Sequence, residues 1–271
     1  MQEPGSAPLT VPMVRSAKVR DGHAPLVMVT AYDAPGARIA DAAGVDLILV
    51  GDSVGNVVLG YEDPLQVTVD DMAHHVAAVA RTHPAALVVG DLPWMSYHVD
   101  AADTVRNAAR LIRAGAQCVK LEGGAVRAPM VEALVHAEIP VMGHIGLTPQ
   151  SLLAFGGFKV QARDAEAAQL LVEGAGVLVE AGAFAVVVEG VPEKVGAAVT
   201  DALDVPTIGI GAGPHCDGQV LVMHDLLGVS GRTPKFVRRY AELAEAATAA
   251  VAAYAHDVRT GAFPADAEVY H

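Results

Sequence analysis

The sequence predicts an α/β chain folded as one (β/α)8 barrel of the TIM type, with a short N-terminal helix before it and helices after it. Three observations carry that expectation. Eight short apolar runs recur near residues 26–30, 46–50, 86–90, 117–121, 140–144, 183–188, 206–210 and 219–223. Each is nearly continuous rather than alternating, as strands of a parallel sheet covered on both faces are. Ala-rich stretches of helical periodicity separate most of them. Finally, the polar ends of the runs are spread from the second to the sixth, whereas an open doubly wound sheet gathers its functional groups at one switch point.

Taken in order, residues 1 to about 9 are rich in Pro, Gly and Ser and predict a disordered lead, and residues 10–20 predict a short helix closing the bottom of the fold. Residues 1–24 are thus set apart from a catalytic barrel domain of residues 25–271 that includes the C-terminal helices. Helices are expected over 35–43, 68–81, 101–114, 165–181 and 193–203. Thr68 and Asp71 have the spacing of a capping box. Beyond Pro234 the pattern predicts two helices, 236–248 and 249–260, and then a frayed segment from Gly261.

Composition narrows the function. The chain is 52% hydrophobic but only 4% aromatic, so its core is built from Ala, Val, Leu and Ile, and the apolar excess predicts burial between subunits of a homo-oligomer. A net charge of −13 without any basic run excludes a nucleic-acid-binding face. Cys118 and Cys216 lie far apart, outside any CxxC spacing, and read as reduced thiols. No basic n-region opens the sequence, and Glu173, Glu180 and Glu189 interrupt its most apolar region, so no signal peptide or membrane span is expected and a cytoplasmic location is.

The candidate site lies in the endings of five runs, at Asp52, Asp91, Lys120 with Glu122, His144 and Glu189. A buried strand cannot carry a carboxylate in its middle, but its carboxyl end can face an open mouth where ligands gather. Lys120 and Glu122 are two apart, so they share a face that Leu121 does not. Carboxylates converging on one place repel unless a cation sits between them, and oxygen-only ligands favour a hard ion such as Mg²⁺. Asp52, Asp91 and Glu122 are therefore the expected metal group, and Lys120 the fixed charge for an anionic substrate. Glu189, with no basic neighbour in sequence, is a candidate general base, and His144 a partner for a developing oxyanion.

Longer blocks add a family. Gly51-Asp-Ser-Val-Gly55, Gly90-Asp-Leu-Pro-Trp-Met-Ser-Tyr97, Val119-Lys-Leu-Glu-Gly-Gly124 and Gly143-His-Ile-Gly-Leu-Thr-Pro-Gln150 closely resemble ketopantoate hydroxymethyltransferases. So do Phe155-Gly-Gly-Phe-Lys-Val-Gln161, Ile208-Gly-Ile-Gly-Ala-Gly213 and Asp217-Gly-Gln-Val-Leu-Val-Met-His-Asp225, and the resemblance runs from about Ala31 to Lys235. It implies transfer of a one-carbon unit from 5,10-methylenetetrahydrofolate to 3-methyl-2-oxobutanoate through a Mg²⁺-stabilised enolate. It also implies a homo-oligomer, often a decamer. By position, Asp52, Asp91 and Glu122 match the family's Mg²⁺ group. Asp52 with Ser53, Asp91 and Lys120 match the groups around the keto acid, and Glu189 the proton acceptor. The competing expectation is a metal-dependent lyase or mutase of the phosphoenolpyruvate/pyruvate type, which also places 2-oxo acids on Mg²⁺ in such a barrel.

Other signals are weaker. Gly209–Gly213 reads as a tight strand exit, His74 and His75 as neighbours facing apart on a helix, and His224-Asp225 as a strand end near the folate. Lys159 and Gln161 read as part of a mobile lid.

Overall fold

The computed structural model describes residues 8–231 and 233–271, so most of the expected disordered lead lies outside the described residues. Contacts group the chain into two compact units, one running to Val222 and the other Met223–His271.

The first unit is a closed barrel of eight parallel strands in sequential order. They are β1 (Leu26–Thr30), β2 (Leu47–Val50), β3 (Leu87–Asp91), β4 (Cys118–Glu122), β5 (Val141–Gly146), β6 (Ala185–Glu189), β7 (Thr207–Ile210) and β8 (Gly218–Leu221). Each sits within two residues of its expected place. The larger helices of this unit are Ala34–Ala42, Val69–Ala80, Ala101–Ala114, Ala128–His136, Ala165–Glu180 and Glu193–Ala202. Ala128–His136 went unmarked in the sequence; it opens on Pro129 at its first turn, a start signal the Ala-rich pattern around it hides.

Alternation along each strand separates core from cover. Leu26 and Met28, Leu47 and Leu49, Leu87 and Val89, Cys118, Met142, Ala185 and Val187, Ile208 and Val220 share one buried cluster inside the barrel. Each fully buried Leu, Ile or Val contributes about 1.5–3 kcal/mol relative to exposure. Continuing the same parity upward reaches Asp91, Lys120, Glu122, His144 and Glu189. The side-chain rule that fills the lower barrel thus aims these polar groups at its upper end.

The N-terminal segment closes the lower end, as expected, though as a short helix (Val11–Arg15) and a 3₁₀ turn (Val19–Asp21). Val14 and Ala17 join the barrel cluster. Lys18 is buried and reaches Asp217 Oδ2 and the Thr200 carbonyl, each at 2.8 Å. Asp217 Oδ1 accepts the Val19 N–H at 2.9 Å, and Oδ2 that of Thr207 at 2.9 Å.

The capping box at Thr68 forms as read: Asp71 N–H donates to Thr68 Oγ1 at 3.2 Å and Thr68 N–H to Asp71 Oδ2 at 2.9 Å.

In the second unit the expectation of two tail helices is corrected. One helix spans Leu243–Thr260, preceded by non-helical chain from residue 236. The N–H groups of Tyr240, Leu243 and Ala244 donate to the carbonyls of Leu226, Leu227 and Gly228, which takes them out of an earlier helix. Nothing interrupts Thr248-Ala-Ala-Val251, so no break falls there. The helix ends on Gly261 in the left-handed conformation. His224 and Asp225 lie in a helical turn, Met223–Leu226, rather than on the last strand.

Candidate active site

Strand register builds the site. Asp91 and Lys120 are lateral partners across β3 and β4, Glu122 and His144 across β4 and β5, and Gly146 and Glu189 across β5 and β6. Each polar group therefore has its neighbour one strand away. The Lys120 ammonium stands 2.8 Å from Asp91 Oδ1 and 3.6 Å from Glu122 Oε1. His144 Nδ1 is 3.3 Å from Glu122 Oε1 and 3.3 Å from Lys120 Nζ, while its Nε2 is 3.1 Å from Glu189 Oε2.

Asp52 enters differently. It follows Gly51 one residue past the inward parity of β2, and its N–H donates to Asp91 Oδ2 at 3.2 Å. Ser53 beside it shares a hydrogen bond with the Tyr32 hydroxyl at 2.8 Å. A single cavity is lined by Asp52, Ser53, Asp91, Lys120, Glu122, His144 and Glu189, with walls from Leu49, Val187, Ile210 and Val220. The structure thus gathers every nominated site residue in one place. Ligand atoms of Asp52, Asp91 and Glu122 lie within 4.8 Å of one another, and all three residues are buried.

The electrostatics follow from burial and crowding. Burial, then Asp91 and Glu122, push Asp52 well above the usual carboxylate range. Asp91 is raised by burial too, against the pull of Lys120. For Glu122 burial works upward, but Lys120 and His144 overcome it and hold the group below its ordinary value. Burial would depress Lys120, yet Asp91, Glu122 and Asp52 raise it above the ordinary lysine range. A lysine so firmly charged is a poor Schiff-base nucleophile. Burial and Lys120 also oppose charge on His144, but Glu122 and Glu189 lift it to about 9.

Two residues of the site were quoted in the sequence motifs without a role. Both are buried behind the carboxylates: Gln150 is bonded to those of Asp52 and Glu122, and Tyr97 to Gln150 and the Glu122 backbone. Their signal was their place in the blocks that hold Asp91 and His144; neither type announces chemistry alone. Among the weaker signals, His74 is exposed and His75 Nδ1 lies 2.7 Å from the Tyr32 carbonyl, at neither of the groups in the cavity. Gln161 N–H donates to the Gly190 carbonyl at 2.9 Å, next to Glu189.

A closed parallel barrel with its polar groups at the carboxyl ends of the strands, among them a buried carboxylate trio able to hold a cation, has the arrangement of a barrel enzyme. Within that class the chain belongs to the ketopantoate hydroxymethyltransferase family, whose model matches residues 9–266. The 3-methyl-2-oxobutanoate hydroxymethyltransferase of Methylobacterium sp. (strain 4-46) is 55% identical over 262 residues, covering 96% of this chain and 90% of that protein. The enzyme of the same name from Pyrobaculum arsenaticum is 59% identical over 244 residues, covering 90% of this chain and 92% of that one.

Among solved structures, phosphonopyruvate hydrolase matches with a TM-score of 0.64 at 16% identity, over 97% of this chain and 92% of that one. A 2,3-dimethylmalate lyase of the PEP mutase/isocitrate lyase superfamily matches with a TM-score of 0.62 at 18% identity, over 98% and 93%. At that identity the likeness is one of fold, which is also as far as the lyase or mutase expectation reaches.

Proposed function

We propose that the chain transfers a hydroxymethyl unit from 5,10-methylenetetrahydrofolate to 3-methyl-2-oxobutanoate, giving 2-dehydropantoate. One observation supports this most: in a member of that family, a single cavity holds the acidic trio, the Lys120 ammonium and the paired Glu189 and His144. The trio fits Mg²⁺, since its donors are all oxygens, lie at ligand spacing and repel one another when ionised. A bound ion would supply Lewis acidity toward the keto oxygen of a 2-oxo acid and so acidify its C3–H.

The chain's own groups account for the rest. Lys120, charged and anchored by Asp91, faces the substrate carboxylate; Ser53, held by Tyr32, and Asp52 complete that side. Glu189, on the next strand but one, is the acceptor for the C3 proton. His144 Nε2 lies 3.1 Å from Glu189 Oε2, so it orients that carboxylate, and its positive charge favours a developing oxyanion nearby. The electron pair left at C3 then forms the carbon–carbon bond to the methylene carbon, whose two bonds to the folate nitrogens break; water supplies the hydroxyl, and the C3 proton with one proton of that water ends on the freed nitrogens, giving tetrahydrofolate.

We further propose that the protein works in the cytoplasm as a homo-oligomer, a decamer. The apolar share of 52% supports burial between subunits, as do Val126, Leu153 and Phe158, exposed at 71%, 75% and 58% in the short helical turns and loop that follow β4 and β5. The deciding assay follows turnover of the keto acid with Mg²⁺, with and without the folate. Product formed only with folate supports the transferase; consumption of a 2-oxo acid without it returns the lyase or mutase reading.

A further inference from the structure

The roles proposed so far leave out Gln150, although it is the most connected side chain behind the trio. Its amide Nε2 donates to Asp52 Oδ2 and to the Leu92 carbonyl, each at 2.9 Å. Its Oε1 accepts from the Tyr97 hydroxyl at 2.6 Å, and that hydroxyl accepts the backbone N–H of Glu122 at 3.1 Å. The Gln150 backbone N–H donates to Glu122 Oε2 at 2.9 Å. The orientation of the amide is determined by its partners: a carboxylate and a carbonyl only accept, so the NH₂ faces them and the oxygen faces the hydroxyl. Both residues are buried, Gln150 at 4% exposure and Tyr97 at 0%, so water does not substitute for either.

One residue after β5 therefore holds one oxygen on each of two carboxylates that come from the ends of β2 and β4. Resting on the reading of the trio as a cation site, we infer that Gln150, backed by Tyr97, is its positioning residue. By holding Asp52 Oδ2 and Glu122 Oε2 it fixes the two carboxylates side by side, while Glu122 Oε1 faces His144 Nδ1 at 3.3 Å and Lys120 Nζ at 3.6 Å, so that both groups are set at ligand spacing before a divalent cation arrives. Three crowded carboxylates would otherwise turn away from one another, and a cation would have to gather them on arrival. Gln150 does that in advance. Partners that orient ligating carboxylates typically change metal affinity by about 10–100-fold when removed.

The test uses the full chain and Mn²⁺ alone, with free ion followed by electron paramagnetic resonance well below the unfolding temperature. Gln150→Met keeps the volume of the side chain and the backbone bond to Glu122 but removes the amide. Its Mn²⁺ dissociation constant is expected to rise about 10–100-fold. Tyr97→Phe removes only the hydroxyl and is expected to weaken binding about fivefold. A merely structural role would lower the melting temperature of either variant and leave the dissociation constant of the folded protein unchanged; that result overturns the inference. Should Gln150→Met fail to fold, Tyr97→Phe decides by the same criterion. Asp52→Asn separates the two layers. If it abolishes Mn²⁺ binding while Gln150→Met and Tyr97→Phe bind as the wild type, the cation site stands and the role of Gln150 falls. If Asp52→Asn also binds as the wild type, the cation site itself is wrong and the inference falls with it.

Discussion

Asp52 and Asp91 hold protons more tightly in the folded chain than an exposed carboxylate does, because burial disfavours their charge. Unfolding would release those protons above the ordinary value of 3.8, so their ionisation destabilises the metal-free fold as pH rises. His144 acts in the same direction: raised to about 9 from 6.5, it favours the fold fully below 6.5 and loses that contribution as pH climbs through 9. Glu122, lowered from 4.5, has the opposite sign but titrates beneath this window. A divalent cation competes with the protons on Asp52 and Asp91. The gain in melting temperature on adding Mg²⁺ should therefore be larger at pH 8 than at pH 5, as differential scanning calorimetry with Mg²⁺ or EDTA would show. An equal gain at both pH values would mean that the cation binds elsewhere. At this scale the sequence was informative: Asp52, Asp91, Lys120, Glu122, His144 and Glu189 each end an apolar run, which is a local signal. The contact of His144 with Glu189 was not legible, since it depends on the register of β5 against β6.

That register rests on a glycine. Gly146 ends β5 with φ of +90°, and a Cβ there would lie 2.2 Å from the Glu189 carbonyl oxygen and 2.9 Å from Val191. Gly146→Ala would have to push β6 away exactly where it carries Glu189. The expected outcome is a loss of about 1–3 kcal/mol in urea unfolding together with a fall in kcat of at least about tenfold. Loss of stability with wild-type kcat would show that the end of β6 tolerates the shift. Period and parity made the strands readable, because the apolar runs coincide with inward faces. The tail was misjudged for a physical reason. Its helix begins late because three N–H groups find carbonyl partners at Leu226, Leu227 and Gly228, pairings that no periodicity records.

Stability and chemistry occupy opposite ends of the barrel. Below the strands, the Lys18–Asp217 ion pair is buried at 1% and 2% side-chain exposure, and Asp217 also accepts N–H groups from Val19 and Thr207. Asp217→Ala leaves a buried ammonium, two backbone N–H groups and the Thr207 hydroxyl without that partner, so urea unfolding should show a loss of about 3–5 kcal/mol. Mn²⁺ affinity of the folded variant should stay at the wild-type value, because the trio sits at the other end. A loss under about 1 kcal/mol would mean that Lys18 finds other partners. A barrel was foreseeable from the even spread of strand ends, yet this lower clamp was not: Lys18 and Asp217 stand 199 residues apart and neither ends an apolar run. The central claim concerns the upper end, where Glu189 is to remove the C3 proton of 3-methyl-2-oxobutanoate with help from a cation at Asp52, Asp91 and Glu122. Proton NMR of the keto acid in D₂O tests it most directly, with enzyme and Mg²⁺ and no folate. The account predicts loss of the C3 proton signal that stops with EDTA and with Glu189→Gln, while Glu189→Gln still binds the substrate. Exchange that persists at the wild-type rate in Glu189→Gln, or in the presence of EDTA, would contradict it.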